Sequence, residues 1–317
     1  MIRVQPDPPL PVINMASNMK KELGFVGLGR MGLNMATRLV EQGYRVVGLD
    51  HDQAALAAAK QAGIETVATY EDMVGALSPD RLVWMMIPSK FVDTALEELT
   101  PLLNPGDTII DGGNSFYQDS LRRHESLKTV DISFLDTGTS GGVTGARHGA
   151  SLMVGGDTTV FATHEHIYQA LATNNGYALV GGAGAGHFVK MIHNGIEYGM
   201  MGAIAEGFTV LHEHTDQFNL DLQQVMKPYE NESIISSKLI SWLSKAYQEG
   251  QVDLITGEVP TGETESEMEH ITTIGDVKVL SAALTQRQET RTKPSYIGKL
   301  IAAMRNQFGG HSVIQDK

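Results

Sequence analysis

The chain has 317 residues, a formal net charge of -13, 42% hydrophobic residues and no cysteine. That length suits two domains with substantial cores, at roughly 100–200 residues each. The acidity disfavours nucleic acid and anionic membrane as partners, and the missing thiols exclude disulfides, thiolate catalysis and cysteine-ligated metals while fitting a reducing cytoplasm.

Residues 1–19 contain Pro6, Pro8, Pro9 and Pro11, which oppose a helical apolar segment. They read as a flexible N-terminal extension rather than a signal peptide, with Met19 a candidate natural start. No apolar run approaches the roughly 20 residues of a membrane span. From Leu23 onward short apolar runs alternate with helical stretches. The strand candidates are Leu23–Val26, Arg45–Leu49, Leu82–Ile87, Thr108–Asp111, Phe134–Asp136, Ser151–Val154 and Ala178–Val180. Several are apolar throughout, as strands covered on both faces should be. Helical segments such as Met31–Gln42 and Lys90–Leu103 lie between them. The alternation predicts an α/β fold, with a Rossmann-type doubly wound sheet over residues 20–181. After Gly181–Gly186 a long helix from His187 to about His214 opens a mostly α-helical domain, residues 182–317, assigned to substrate binding and dimerisation. The charge is uneven: residues 212–270 carry -9 and residues 271–317 carry +4.

The segment Gly27-Leu28-Gly29-Arg30-Met31-Gly32 joins the first strand to the first helix. Its glycines permit a tight turn, close approach of backbone to a pyrophosphate, and close helix–strand packing, while the helix N-terminus faces the phosphates. Asp50 ends the second strand, where a carboxylate accepts hydrogen bonds from the adenosine ribose and repels a 2′-phosphate. His51 and Asp52 follow and supply no basic phosphate clamp, so NAD is expected in preference to NADP.

On the long helix, Lys190, His193, Asn194 and Glu197 recur at i, i+3, i+4 and i+7 and share a face. The remaining positions are apolar around most of the circumference, which predicts a buried helix. Buried polar groups need partners, and a lysine and a glutamate there are costly unless used. The alternative is a solvated stripe with a modest salt bridge. The 11 histidines form no convincing metal cluster, and His164 and His166 fall on a polar, surface-like helix, so no metal is expected.

Four stretches resemble the 6-phosphogluconate dehydrogenase family, in its shorter branch with a single helical domain. They are Asp111–Ser115 (DGGNS), Ser140–Gly142 with Gly145–Arg147, Lys190–Tyr198 (KMIHNGIEY) and Arg305–His311 (RNQFGGH). The resemblance implies oxidative decarboxylation of a phosphorylated six-carbon aldonate by a homodimer or homotetramer. Lys190 would be the general base at the C3 hydroxyl and Glu197 the general acid that protonates the enediol. Asn114, which also borders the cofactor, would join Ser140, Gly141, Gly142, His193 and Asn194 in holding the carboxylate and hydroxyls. Tyr198, Arg287, Arg305 and His311 would contact the phosphate end, and the resemblance allows the last two to come from a partner subunit. Arg287 also has a plain reading as a helix-surface charge.

One departure from the family stands out. Where the family has Gly-Lys-Trp or Gly-Arg-Trp, this chain reads Thr261-Gly262-Glu263-Thr264-Glu265-Ser266-Glu267. The favoured reading is a solvated acidic loop; the other is an altered C6 specificity, in which case Glu265→Lys or Glu265→Arg should tighten 6-phosphogluconate binding. Two further functions remain open: a dehydrogenase of a different C6-substituted or unsubstituted aldonate or β-hydroxy acid, and a nucleotide-binding regulatory protein without catalysis.

Overall fold

The computed structural model describes residues 20–315, so the expected N-terminal extension lies outside the described residues. The N-terminal half runs β1 (Glu22–Val26), α1 (Arg30–Glu41), β2 (Arg45–Leu49), α2 (Gln53–Gln61), β3 (Glu65–Val67), α3 (Tyr70–Ala76), β4 (Leu82–Met85), α4 (Val92–Leu99), β5 (Thr108–Asp111), α5 (Tyr117–Lys128), β6 (Ser133–Ser140), α6 (Gly142–His148), β7 (Ala150–Gly155), α7 (Thr158–Leu171) and β8 (Ala172–Gly181). The strands form one sheet in the order β3-β2-β1-β4-β5-β6-β7-β8. All pairs are parallel except β6 with β7. The sheet is therefore a Rossmann-type doubly wound sheet.

β1, β4 and β5 are buried along almost their whole length because helices cover both faces of the sheet. Leu23, Phe25, Trp84 and Tyr168 fill one core, and Val47, Met73, Val83 and Leu99 fill the other. The edge strand β3 has no entirely buried residue, so its apolar signal is weak and alternation did not reveal it. The helix expected over Lys90–Leu103 is shorter: α4 is flanked by 3₁₀ turns at Ser89–Phe91 and Thr100–Leu102. His164 and His166 are partly buried rather than superficial. His164 Nε2 meets Thr108 Oγ1 at 3.0 Å, and burial drops its pKa to about 4. Among the described residues no cluster of three acid or histidine side chains could hold a metal.

The helical half comprises α8 (Ala185–Glu213), α9 (Thr215–Phe218), α10 (Leu222–Glu230), α11 (Lys238–Gln248), α12 (Gln251–Leu254), α13 (Glu263–Ile274), α14 (Lys278–Glu289) and α15 (Tyr296–Gly309). Its core gathers Met201, Phe208, Met226, Leu243, Leu300 and Met304. α8 is not apolar-buried all round: Ile196, Met200 and Val210 are 51%, 42% and 56% exposed on its outer side. Its first turns press on the sheet because small residues let them. A Cβ on Gly186 would stand 2.4 Å from the Asp136 carbonyl oxygen, and one on Gly138 would stand 2.4 Å from Lys190 Cβ. Asp136, buried in β6, accepts from the backbone N–H groups of Gly184 (2.6 Å) and His187 (2.9 Å) and fixes that helix start. No helix among the described residues is long and apolar enough to cross a membrane.

Candidate active site

The glycine loop is shaped by close contacts. Gly27 has φ +92°, and a Cβ there would lie 2.5 Å from the Met86 carbonyl oxygen. A Cβ on Gly32 would lie 1.9 Å from the Gly27 carbonyl oxygen, whereas one on Gly29 would meet nothing within 4 Å. Gly29 thus faces open space at the N-terminus of α1, whose first amides have no side-chain cap and no acid in the first turn. Such an end binds an anion readily. Beside it lies a cavity of about 370 Å³ bordered by Gly27, Gly29, Asp50, Tyr70, Ile87 and Phe91. Asp50 Oδ2 accepts from Leu28 N (2.6 Å) and Oδ1 from Asp52 N (2.8 Å), so this carboxylate shapes the loop. Its remaining lone pairs are available to a ribose. Glycine cradle, free helix end and carboxylate fit a nicotinamide dinucleotide.

Arg30 and Met31 start α1, but the Arg30 side chain turns to the far end of the chain. Its Nη1 donates to the carbonyl oxygens of Gly309 (3.3 Å) and Gly310 (3.1 Å). α15 ends at Gly310 with φ +58°, a left-handed cap, and the chain folds back so that Ile255 bridges Gln315. The same tail rests on the turn after β6. A Cβ on Gly142, where φ is +60°, would be 2.0 Å from the Phe308 carbonyl oxygen.

Next to the loop, buried Asp111 organises the turn that carries Asn114. Its carboxylate accepts from Gly113 N (3.1 Å) and Ser115 Oγ (2.7 Å), and buried Arg123 braces it at 3.4 Å. Ser140 closes β6, and its Oγ meets His193 Nε2 at 3.2 Å. Lys190 Nζ donates to Asn194 Oδ1 at 2.7 Å and lies 3.4 Å from His193 Nδ1, which stands 3.8 Å from Glu197. The stripe on α8 is thus turned inward, toward the ends of β5 and β6.

The charges on this face are displaced in opposite directions. Burial pulls the Lys190 pKa below the ordinary lysine range, against the opposing pull of Glu197 and Glu267. Burial raises Glu197 above the usual carboxylate range, against Lys190 and Arg305. Burial and then Lys190 lower His193. A neutral amine and a protonated carboxyl are the forms that a base and an acid require.

Further along, Arg287 is fully buried, which overturns its plain surface reading, and Arg305 is 3% exposed. Both donate to one acceptor, the Pro260 carbonyl oxygen, at 3.0 and 3.1 Å. The Arg287 guanidinium lies 4.8 Å over the Tyr198 ring. Its Nη1 donates to Thr264 Oγ1 (3.3 Å), whose hydroxyl donates to Tyr198 OH (3.1 Å). Gly262 roofs the pair: a Cβ there would lie 3.3 Å from Arg305 Nη2 and 3.5 Å from Arg287 Nη2. His311 is driven to a pKa of about 4 by burial, then by Arg305, Arg30 and Arg287, so near neutral pH it can donate an N–H but carries no charge. Arg287, Arg305 and His311 gather within one chain.

The acidic segment is not a solvated loop throughout: Thr261 and Gly262 are irregular and exposed, but its glutamates lie on a helix and two of them, Glu265 and Glu267, turn inward. Residues 263–267 are the first turns of α13. Glu265 is 8% exposed and binds Arg291 at 2.7 Å, with Arg287 at 3.8 Å. Burial opposes its charge, but hydrogen bonds from Arg291 and Gln288 outweigh it and hold its pKa below the ordinary value. Glu267 enters the site itself, accepting from Asn114 Nδ2 (2.5 Å) and Asn194 Nδ2 (2.8 Å). Sequence reasoning gave no role to Glu267, Asp111 or Asp136. Carboxylates that close the expected apolar strand runs (Asp50, Asp111, Asp136) are the signal that would have exposed the last two, although β6 continues past Asp136 to Ser140.

A Rossmann sheet with an open glycine cradle, followed by a helical half that sets a buried lysine, a glutamate and a buried arginine pair beside it, has the make-up of a nicotinamide-dinucleotide dehydrogenase. Residues 22–181 match the NAD binding domain of 6-phosphogluconate dehydrogenase, and residues 186–249 match the C-terminal domain of the same enzyme. The chain belongs to the 6-phosphogluconate dehydrogenase family. It is 40% identical to YqeC of Bacillus subtilis, which carries 6-phosphogluconate dehydrogenase in its name, over 92% of this chain and 98% of that protein. It is 37% identical to the NAD(+)-dependent, decarboxylating 6-phosphogluconate dehydrogenase of Haloferax volcanii, over the same shares. The 6-phosphogluconate dehydrogenase of Plasmodium falciparum, solved alone, with NADP+ and with 6-phosphogluconate, superposes with a TM-score of 0.78 at 27% identity, over 86% of this chain and 62% of that one.

Proposed function

We propose that the chain catalyses NAD-dependent oxidative decarboxylation of 6-phospho-D-gluconate to D-ribulose 5-phosphate and carbon dioxide. The observation that carries this reading is the pairing on α8 of Lys190, pulled toward its neutral form, with Glu197, pushed toward its protonated form. Lys190 takes the proton of the C3 hydroxyl. A bound NAD would supply the acceptor for the hydride that leaves C3. The 3-keto acid then loses carbon dioxide as the C1–C2 bond breaks, and Glu197 delivers a proton to the enediol carbon to give the ketopentose. Ser140, Gly141 and Gly142, with Asn114, His193 and Asn194, hold the carboxylate and hydroxyls in place. Arg287 and Arg305, with Tyr198 and His311, receive the phosphate.

The preference for NAD over NADP rests on Asp50, with support from the NAD(+)-dependent relative in Haloferax volcanii. Assembly as a homodimer or homotetramer is supported by the exposed apolar side of α8 at Ile196, Met200 and Val210. A second reading changes only the substrate. Glu265 already holds Arg291 and stands close to Arg287, so part of the positive charge is compensated within the protein, as a C6 group less charged than phosphate would require.

The test is NAD reduction against a panel of aldonates with carbon dioxide assayed in parallel. Equal release of NADH and carbon dioxide from 6-phosphogluconate is expected. NADH without carbon dioxide would sink the decarboxylase reading, a higher kcat/KM with NADP would sink the NAD preference, and a higher kcat/KM with an unphosphorylated aldonate would favour the second reading.

A further inference from the structure

Glu267 belongs to the segment that the sequence left to solvent, yet its carboxylate joins three elements around the proposed base. Oε2 accepts from Asn194 on α8, Oε1 accepts from Asn114 after β5, and Glu267 itself is carried by α13. Asn194, 5% exposed, uses its other end toward Lys190, accepting at Oδ1 from Nζ at 2.7 Å. We infer that Glu267 is a positioning residue for Lys190, acting through the orientation of the Asn194 amide. The inference rests on the reading of Lys190 as the general base.

The argument turns on the two unlike ends of an amide. A neutral lysine has two N–H groups and one lone pair. When one N–H donates to Asn194 Oδ1, the lone pair stays free to take a proton from substrate. If the amide turned over, its NH2 would donate into that lone pair and the base would be occupied. Amide orientation is decided by partners rather than by shape. Here the deciding partner is Glu267, which only accepts when ionised and so requires Nδ2 on its own side. A carboxylate rather than an amide is needed because two asparagines present N–H groups to it at once. A glutamine would accept from one and confront the other donor to donor.

The charge of Glu267 acts on the same base. The charged and titratable groups facing Lys190 are His193 and Glu197 from its own helix and Glu267 from α13. Against the same turn β6 presents Gly138 and Ser140, and α15 supplies Arg305, whose charge acts on Glu197. Removing the Glu267 charge removes one of the two carboxylates that favour protonated Lys190, so the base should stay active to lower pH.

The decisive experiment measures kcat, KM and the pH profile of kcat/KM for wild type, Glu267→Gln, Glu267→Ala, Asn194→Asp and the Glu267→Ala/Asn194→Asp double variant, with NAD affinity by fluorescence titration. Glu267→Ala should lower kcat about 10–100-fold, as expected for a misplaced catalytic group, with NAD affinity unchanged. Both Glu267 variants should move the acid limb of kcat/KM to lower pH. Asn194→Asp should harm the wild type by setting two carboxylates together. In the Glu267→Ala background the same change should cost less kcat than it does in the wild type, because either oxygen of an aspartate accepts from Lys190 and no second carboxylate stands beside it, while the new charge returns the acid limb to higher pH. That non-additivity is a coupling that a merely structural role would not produce. A Glu267→Ala kcat within twofold of wild type, an unmoved acid limb, or an Asn194→Asp cost that is the same in both backgrounds would each overturn the inference. Glu267→Gln keeps the shape of the side chain and reads the limb even if Glu267→Ala does not fold. A wild type that reduces NAD with no aldonate, or a Lys190→Ala variant that still turns over, would overturn the reading of the reaction instead.

Discussion

At one end of the site a lysine and a glutamate share a face of α8; at the other, two arginines of like charge lie side by side beneath Gly262. Burial acts on both ends, with opposite consequences. Lys190 and Glu197 can escape its cost by shifting toward their neutral forms, which are the ones the proposed reaction uses. Arginine cannot discharge in the working range, so Arg287 and Arg305 keep their charges and share the Pro260 carbonyl oxygen. The Nε atoms of both have no hydrogen-bond partner among the described residues. The comparison teaches that desolvation tunes a reacting group where neutralisation is possible and stores an unmet demand for an anion where it is not.

The largest test of this contrast is Lys190→Ala. Loss of a general base should lower kcat by about 10²–10⁴-fold while NAD affinity, measured by fluorescence titration, stays the same. Retained turnover would mean that the reacting end lies elsewhere. Arg287→Met addresses the other end. Losing a charged hydrogen-bond donor to an anion, about 1.5–3 kcal/mol, should raise KM for 6-phosphogluconate about 10–100-fold with a smaller change in kcat. An equal fall in kcat would blur the distinction between the two ends.

The pH profile sharpens the comparison at the reacting end. As pH falls, Lys190 takes a proton and kcat/KM should drop; as pH rises, Glu197 loses its proton and the rate should drop again. The working state, neutral amine with protonated carboxyl, holds as many protons as the ion pair, so the two limbs belong to the pair and not to either residue. A profile with no acid limb would remove Lys190 as the base. The smallest expected effect is at Asp50: Asp50→Ser should weaken NAD several-fold and narrow the proposed advantage of NAD over NADP, checked by kcat/KM with each cofactor. It also removes the acceptor for Leu28 N, so both cofactors should lose some affinity.

The strands were legible because a doubly covered sheet writes its burial into unbroken apolar runs, and β1, β2, β4 and β5 stand where those runs are. β3 was not, since an edge strand without an entirely buried residue leaves no such run. The stripe on α8 could be read from its spacing, but its outer side could not: Ile196 and Met200 are apolar and exposed, a property of the surface and not of local pattern. The acidic segment misled for a related reason. Acids in the first turns of a helix suit its dipole, which the sequence does suggest. The arginine that binds Glu265, however, sits 26 residues further along, in the turn after α14, and nothing local announces it. The same holds for Glu267, whose two partners are 153 and 73 residues away.

The clasp from Arg30 to the carbonyl oxygens of Gly309 and Gly310 joins positions 279 and 280 residues apart. Closing so long a loop comes late in a folding sequence, after the local sheet and helix contacts have formed. During renaturation, then, a signal from the Rossmann half would return before any turnover does. Enzyme activity would serve as a stopwatch for the final docking of the tail, and spectroscopic recovery would run ahead of it.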